Sequence, residues 1–129
     1  MTGIVLAFRP KERVRQDSEP IALMYRNMGT SAAEQVVTRA LAELAMAMTG
    51  LSDRIRARDM SDLGRQLRRL QRMAEQLGLV SLGQVAGDVR QCLDIGEPTA
   101  FAAVWARLIR VAECSLAAEK GLMDLQPGG

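Results

Sequence analysis

The sequence predicts an all-α domain, an up-down-up-down four-helix bundle with a short additional helix ahead of it. Apolar residues recur at three- and four-residue spacing over four long stretches, which is the period of one helix face. The breaks between these stretches are short and carry Gly, Pro or a Ser able to cap a helix. Aromatic residues are only 3% of the chain (Phe8, Tyr25, Phe101 and Trp105), so the core must be Leu, Val, Ala and Met. That palette suits helix packing better than sheets.

Residues 1–17 stand apart as a leader, flexible or swapped onto a neighbouring subunit, and 18–129 form a single helical domain. Within the leader, Gly3-Ile-Val-Leu-Ala-Phe8 has strand character but lacks a partner strand, and Arg9 to Arg15 is basic and irregular.

Ser18-Glu-Pro20 opens the first, short helix, with Ser as N-cap and Pro in the first turn, and Gly29 stops it after Met28. Ser31-Ala-Ala-Glu34 reads as a capping box for the second. Val37, Leu41, Leu44, Met48, Leu51 and Ile55 then form a stripe lasting to about Arg58, with Gly50 a point where it can bend. Asp59-Met-Ser-Asp62 restarts the chain. Leu63, Leu67, Leu70, Ala74 and Leu77 mark the third helix, ended by Gly78. Ser81-Leu-Gly-Gln84 is a second capping box, opening a helix that turns Leu82, Val85, Ala86, Val89, Cys92 and Leu93 inward and closes at Gly96. Glu97-Pro-Thr99 starts the last helix, with Phe101, Val104, Trp105, Leu108, Val111 and Leu116 on its buried side and fraying from Gly121. The methionines Met24, Met28, Met46, Met48, Met60 and Met73 read as gap-fillers in a core short of aromatics, with an adaptable binding groove the alternative.

The composition removes much of the catalytic repertoire. The chain has no histidine, the side chain that most often moves protons, accepts phosphoryl groups or binds metal near neutral pH. Ser/His and Cys/His nucleophile pairs are therefore ruled out, as is a di-metal site built on Glu-x-x-His pairs. No glycine-rich phosphate loop is present. Cys92 and Cys114 are too few and too far apart for a zinc site and read as small buried hydrophobes. The expectation is a protein that is not an enzyme and has no metal or cofactor. Its apolar segment Gly3 to Phe8 is too short for a signal core or a membrane span, so a cytoplasmic setting without membrane partners is expected. The net charge of +2 does not point to nucleic acid. Its near-total reliance on arginine, with Lys11 and Lys120 the two lysines, fits a GC-rich bacterial genome.

The third helix carries the sharpest feature. At about 100° per residue, Arg65, Arg69 and Arg72 lie opposite the leucine stripe. Arg68 sits on the shoulder with Gly64, Gln71 and Glu75, beside the groove toward a neighbouring helix. The stripe reads either as a solvated arginine face or as a docking surface: four arginines within eight residues repel one another by a few tenths of a kcal/mol per i,i+4 pair, and a docked acid would remove that cost. Among nearby residues, Glu75 offers relief. Aromatic groups for stacking bases are missing from this face, and Asp59, Asp62 and Glu75 dilute it, which argues against nucleic acid.

Here the chain resembles a histidine phosphotransfer (HPt) domain, a four-helix bundle whose second helix carries Ala-His-x-Leu-Lys-Gly, a small residue and a Leu/Ile-Gly stop. The corresponding segment runs from Leu67 to Gly78. Leu70, Ala74, Leu77 and Gly78 match, as does the following helix from Ser81 with Leu82. Arg68 stands where the phosphohistidine would be, Gln71 replaces the Lys, and Arg72 replaces the Gly that leaves room for a docking receiver. The resemblance covers roughly Ser31 to Glu119. It implies a degenerate module of a two-component phosphorelay that cannot accept a phosphoryl group, since a guanidinium with a pKa above about 12 is no nucleophile. The implied partner is a receiver domain or a histidine kinase, met by Gly64, Arg65, Arg68, Arg69, Gln71, Arg72 and Glu75.

A second reading is an assembly protein unrelated to phosphorelay, either a homodimer or a scaffold. Gly83 and Gly87 would permit close helix approach, which packing within the bundle itself also explains, and Ile4 to Phe8 could pair with a second copy as an edge strand.

Overall fold

A computed structural model describes residues 13–125, with side chains up to Glu119. Five helices follow one another: α1 (Glu19–Met28), α2 (Thr30–Arg56), α3 (Leu63–Gln76), α4 (Val80–Ile95) and α5 (Pro98–Leu125). The expected all-helical class is what the structure has, with no strand among the described residues. The strand character of Ile4 to Phe8 lies outside them. No described helix is long and apolar enough to cross a membrane.

The third helix forms as its pattern predicts. Leu63, Leu67, Leu70 and Ala74 are fully buried and Leu77 is 2% exposed, because every third or fourth residue returns to the same side. Burying one such leucine contributes about 1.5–3 kcal/mol. From α2, Leu44, Met48 and Leu51 meet this stripe, and Leu82, Val85, Ala86 and Val89 join it from α4. From α5 come Phe101, Leu108, Val111 and Ala112. α4 packs extensively on both α3 and α5, whereas α2 and α5 touch only sparsely. α1 packs on α2, with Ile21 against the core.

Several helix boundaries differ from expectation, and the reason is tertiary. Only Gly29 separates α1 from α2, so α2 already begins at Thr30 and Ser31 lies inside its first turn with no capping bond. Gly29 makes the corner with a φ of 82°. Ser18 is likewise helical in backbone and makes no side-chain cap. Instead, the Glu19 N–H donates to Asp17 Oδ1 at 3.0 Å. α2 ends at Arg56 rather than near Arg58, and the Asp59 N–H reaches back to the Arg54 carbonyl at 2.9 Å. At the other end of the chain, α5 continues past Gly121 to Leu125.

The second capping box is also replaced. α4 starts at Val80, and the Ser81 hydroxyl is taken by the Arg15 N–H at 2.6 Å. Of the leader, residues 13–17 are described, and they bond to their own chain. The Asp17 N–H donates to the Gly78 carbonyl at 2.7 Å, the Arg15 guanidinium reaches Gln84 Oε1 at 3.0 Å, and Gln16 Nε2 reaches the Ser115 carbonyl at 3.4 Å. This tether fixes the identity of residue 78. Gly78 has a φ of 73°, and a Cβ there would overlap the Asp17 carbonyl. Glycine satisfies both demands.

The methionines do not all fill gaps. Met48 is buried, but Met28, Met46 and Met60 are exposed, Met46 by 74%. Met46 stands two residues past Leu44, which puts it on the solvent side of α2.

Candidate functional site

The exposed side of α3 is the mirror of its leucine stripe. Arg65, Arg68, Arg69 and Arg72 are all exposed there. They are not equivalent. Arg65 Nε donates to Asp62 Oδ1 at 2.6 Å, and Gln66 Nε2 reaches Asp62 Oδ2 at 3.2 Å. These donors hold the Asp62 carboxyl below its ordinary value, with the Arg65 bond the first cause and Gln66 the second. Asp62 itself has a φ of 63°, the left-handed conformation that Asp and Asn tolerate better than most residues. Arg54 joins the same carboxylate from α2 at 3.9 Å. The relief expected from Glu75 therefore comes from Asp62, at the start of the helix.

No side-chain hydrogen bond or ion pair among the described residues engages Arg68, Arg69 or Arg72. Three guanidinium groups thus stand exposed on α3 without an ion-pair partner among the described residues.

The shoulder row is divided between support and surface, and the neighbouring helix it faces is α4. Gln71 is half-buried and lies across Gly87, where an added Cβ would come within 3.4 Å of its Nε2. A Cβ on Gly83 would lie 3.4 Å from Glu75 Cγ, and one on Gly64 would lie 3.9 Å from Leu93 Cδ2. Gln71 and the Glu75 stem therefore lie against the glycines of α4, while Arg68 and Glu75 are both exposed. The small-residue flank of Gly83 and Gly87 is filled by α3 of the same chain.

Two other places were not singled out in the sequence. The first is an open groove of about 540 Å³ where α2 ends and α4 turns into α5. Ile55, Met60, Cys92, Leu93, Phe101 and Trp105 line it, with Arg58 and Glu97 as its charged residues. Cys92 and Cys114, expected to be buried, are free thiols and half-buried. A smaller hollow of about 220 Å³ between Met48, Ser52, Ile109 and Leu116 follows the same sparse α2–α5 seam.

The second is a pair of buried polar residues one turn apart on α5. Ser115 is 1% exposed and its hydroxyl has no hydrogen-bond partner. Glu119 is 8% exposed, and burial pushes its carboxyl above the ordinary value. Tyr25 of α1 titrates above its usual range, first through burial and then through the Glu34 and Glu119 carboxylates. Neither residue breaks the apolar spacing that marks the helix, so the sequence carries no signal for them.

Among the described residues, no three His, Cys, Asp or Glu side chains are grouped so as to hold a metal ion. No protein family, curated protein or solved structure matches the chain.

Proposed function

We propose that the chain is a non-catalytic interaction module of a bacterial two-component system, acting in the cytoplasm. Its helices α2–α5 form a four-helix bundle of the histidine phosphotransfer type, and the arginine face of α3 is offered to an acidic receiver domain or histidine kinase. The observation that carries this reading is the row of exposed guanidinium groups at Arg68, Arg69 and Arg72, none of them ion-paired. Arginines so placed repel one another along a helix, and an acidic partner turns that repulsion into attraction.

Arg68 takes the central role because it shares its row with Gln71 and Glu75, which lie beside Gly87 and Gly83 of α4. In this reading its guanidinium enters the aspartate pocket of a receiver, where a phosphohistidine would otherwise present itself. Being permanently protonated, it binds as a fixed cation and transfers nothing. Arg69 and Arg72 flank it and steer the approach.

Calorimetric titration of wild type and Arg68→Ala with individual receiver domains tests the proposal. Truncating one partner of a desolvated charge pair costs about 2–5 kcal/mol, so Arg68→Ala should weaken binding at least about thirtyfold. Equal affinity of the two proteins, or no binding by wild type to any receiver or kinase domain, overturns the reading.

A further inference from the structure

The groove between the ends of α2 and α4 and the start of α5 exposes apolar side chains that elsewhere in the fold are covered. Phe101 is 8% exposed at its floor, Trp105, Cys92 and Leu93 are half-buried along it, and Ile95 beside it is 65% exposed. At about 540 Å³ it is an open, mainly apolar groove large enough to seat several side chains.

The tethered residues show what could reach it. Asp17 bonds at Gly78, Arg15 at Ser81, and the Arg15 side chain at Gln84. Followed backward from Asp17 to Arg15, the chain therefore travels along α4 from its first turn toward its C-terminal end, where the groove lies. Val14 packs against the core on the way. From Gln84 to Cys92 the helix rises about 12 Å. An extended chain from Arg15 covers about 23 Å by Phe8 and about 36 Å by Ile4. The run Ile4-Val-Leu-Ala-Phe8 thus has the length to reach and span the groove. It is also the most apolar stretch outside the helices, and burying one of its large side chains is worth about 1.5–3 kcal/mol.

We propose that this groove is the seat of the chain's own segment Ile4–Phe8, held in cis by the tether at Arg15 and Asp17. Seated there, the segment would cover Trp105 and Phe101. This site is separate from the arginine face, and its test does not depend on any signalling partner.

Trp105 is the sole tryptophan and lines the groove, so it reports occupancy directly. The experiment compares acrylamide quenching of Trp105 in the full chain and in the full-length variant Ile4→Asp/Leu6→Asp/Phe8→Asp, over roughly a hundredfold range of protein concentration. Matching circular dichroism melts of the helical signal establish that both are folded. Quenching should be about threefold weaker in wild type, because a seated segment removes most of the exposed indole surface, and the difference should not change with dilution. Equal quenching in the two proteins overturns the proposal. Protection of wild type that disappears on dilution also overturns it, since the occupant would then be a second copy. A synthetic peptide of residues 3–9 added to the variant should restore the protection, and an indifferent Trp105 signal would count against the groove as its seat.

Discussion

Arg15 and Ser81 bind each other through a reciprocal pair of hydrogen bonds across 66 positions of sequence. The Arg15 N–H donates to Ser81 Oγ at 2.6 Å, and the Ser81 N–H returns a bond to the Arg15 carbonyl at 3.2 Å. The second bond satisfies a backbone N–H at the start of α4 that the helix cannot satisfy itself. A residue ahead of the first helix thereby caps the fourth. Ser81→Ala removes one of the two bonds and should lower unfolding free energy by about 0.5–1.5 kcal/mol. Urea unfolding followed by circular dichroism measures it, and an unchanged midpoint would show that the Ser81 hydroxyl bond contributes nothing to stability.

Gly78 and Gly50 predict opposite outcomes for the same substitution. Gly78→Ala forces a side chain into positive φ and into the Asp17 carbonyl, so it should destabilise by more than about 1 kcal/mol. Gly50 lies inside α2 with nothing within 4 Å of where a Cβ would stand. Gly50→Ala should therefore stabilise, by about 0.5–1 kcal/mol, through the helix preference of alanine. The two midpoints should move in opposite directions in the same urea experiment.

The particular residues explain how far the sequence could be read. Leu63, Leu67, Leu70, Ala74 and Leu77 are legible because a period of about 3.6 residues is a local property of the chain. The exposed arginines of α3 are legible for the same reason, as the complement of that stripe. The capping boxes at Ser31 and Ser81 are not, since a Ser-x-x-Glu or Ser-x-x-Gln pattern offers a hydroxyl without determining what bonds to it. At Ser31 the single-residue corner at Gly29 moved the helix start, and at Ser81 a distant backbone N–H took the hydroxyl. The groove is illegible because Cys92, Phe101 and Trp105 carry the same spacing whether or not α2 closes over them. Gln71 and Gly87 look like independent features until α3 and α4 pack together.

Glu119 predicts how stability depends on pH. Its folded-state value lies above the ordinary 4.5, so between those two values the folded chain binds more protons than the unfolded one. The contribution of Glu119 therefore falls as pH rises through that window and stays low above it. Glu119→Gln keeps the shape and removes the titration. The variant should match wild type at about pH 4 and exceed it in stability at about pH 7. Urea unfolding across this range checks the sign, and a variant less stable than wild type at neutral pH would contradict it.

Arg69 and Arg72 predict a kinetic signature. As exposed charges flanking Arg68, they should act mainly on association, so Arg69→Gln and Arg72→Gln should slow binding of an acidic partner and flatten its dependence on salt. Dissociation should be little changed. Stopped-flow measurements at several ionic strengths separate the two rates. A faster dissociation with an unaltered association rate would place these residues inside the contact.

Binding through the arginine face of α3, as proposed, is open to a direct test. Heteronuclear NMR of the isotopically labelled full chain, titrated with an unlabelled receiver domain, tests it residue by residue. The largest shifts should fall on Arg65, Arg68, Arg69 and Arg72 and on the α4 residues beside Gln71, and Arg68→Glu should abolish them. Shifts centred on the groove at Trp105, or an unperturbed α3 on addition of partner, would contradict it.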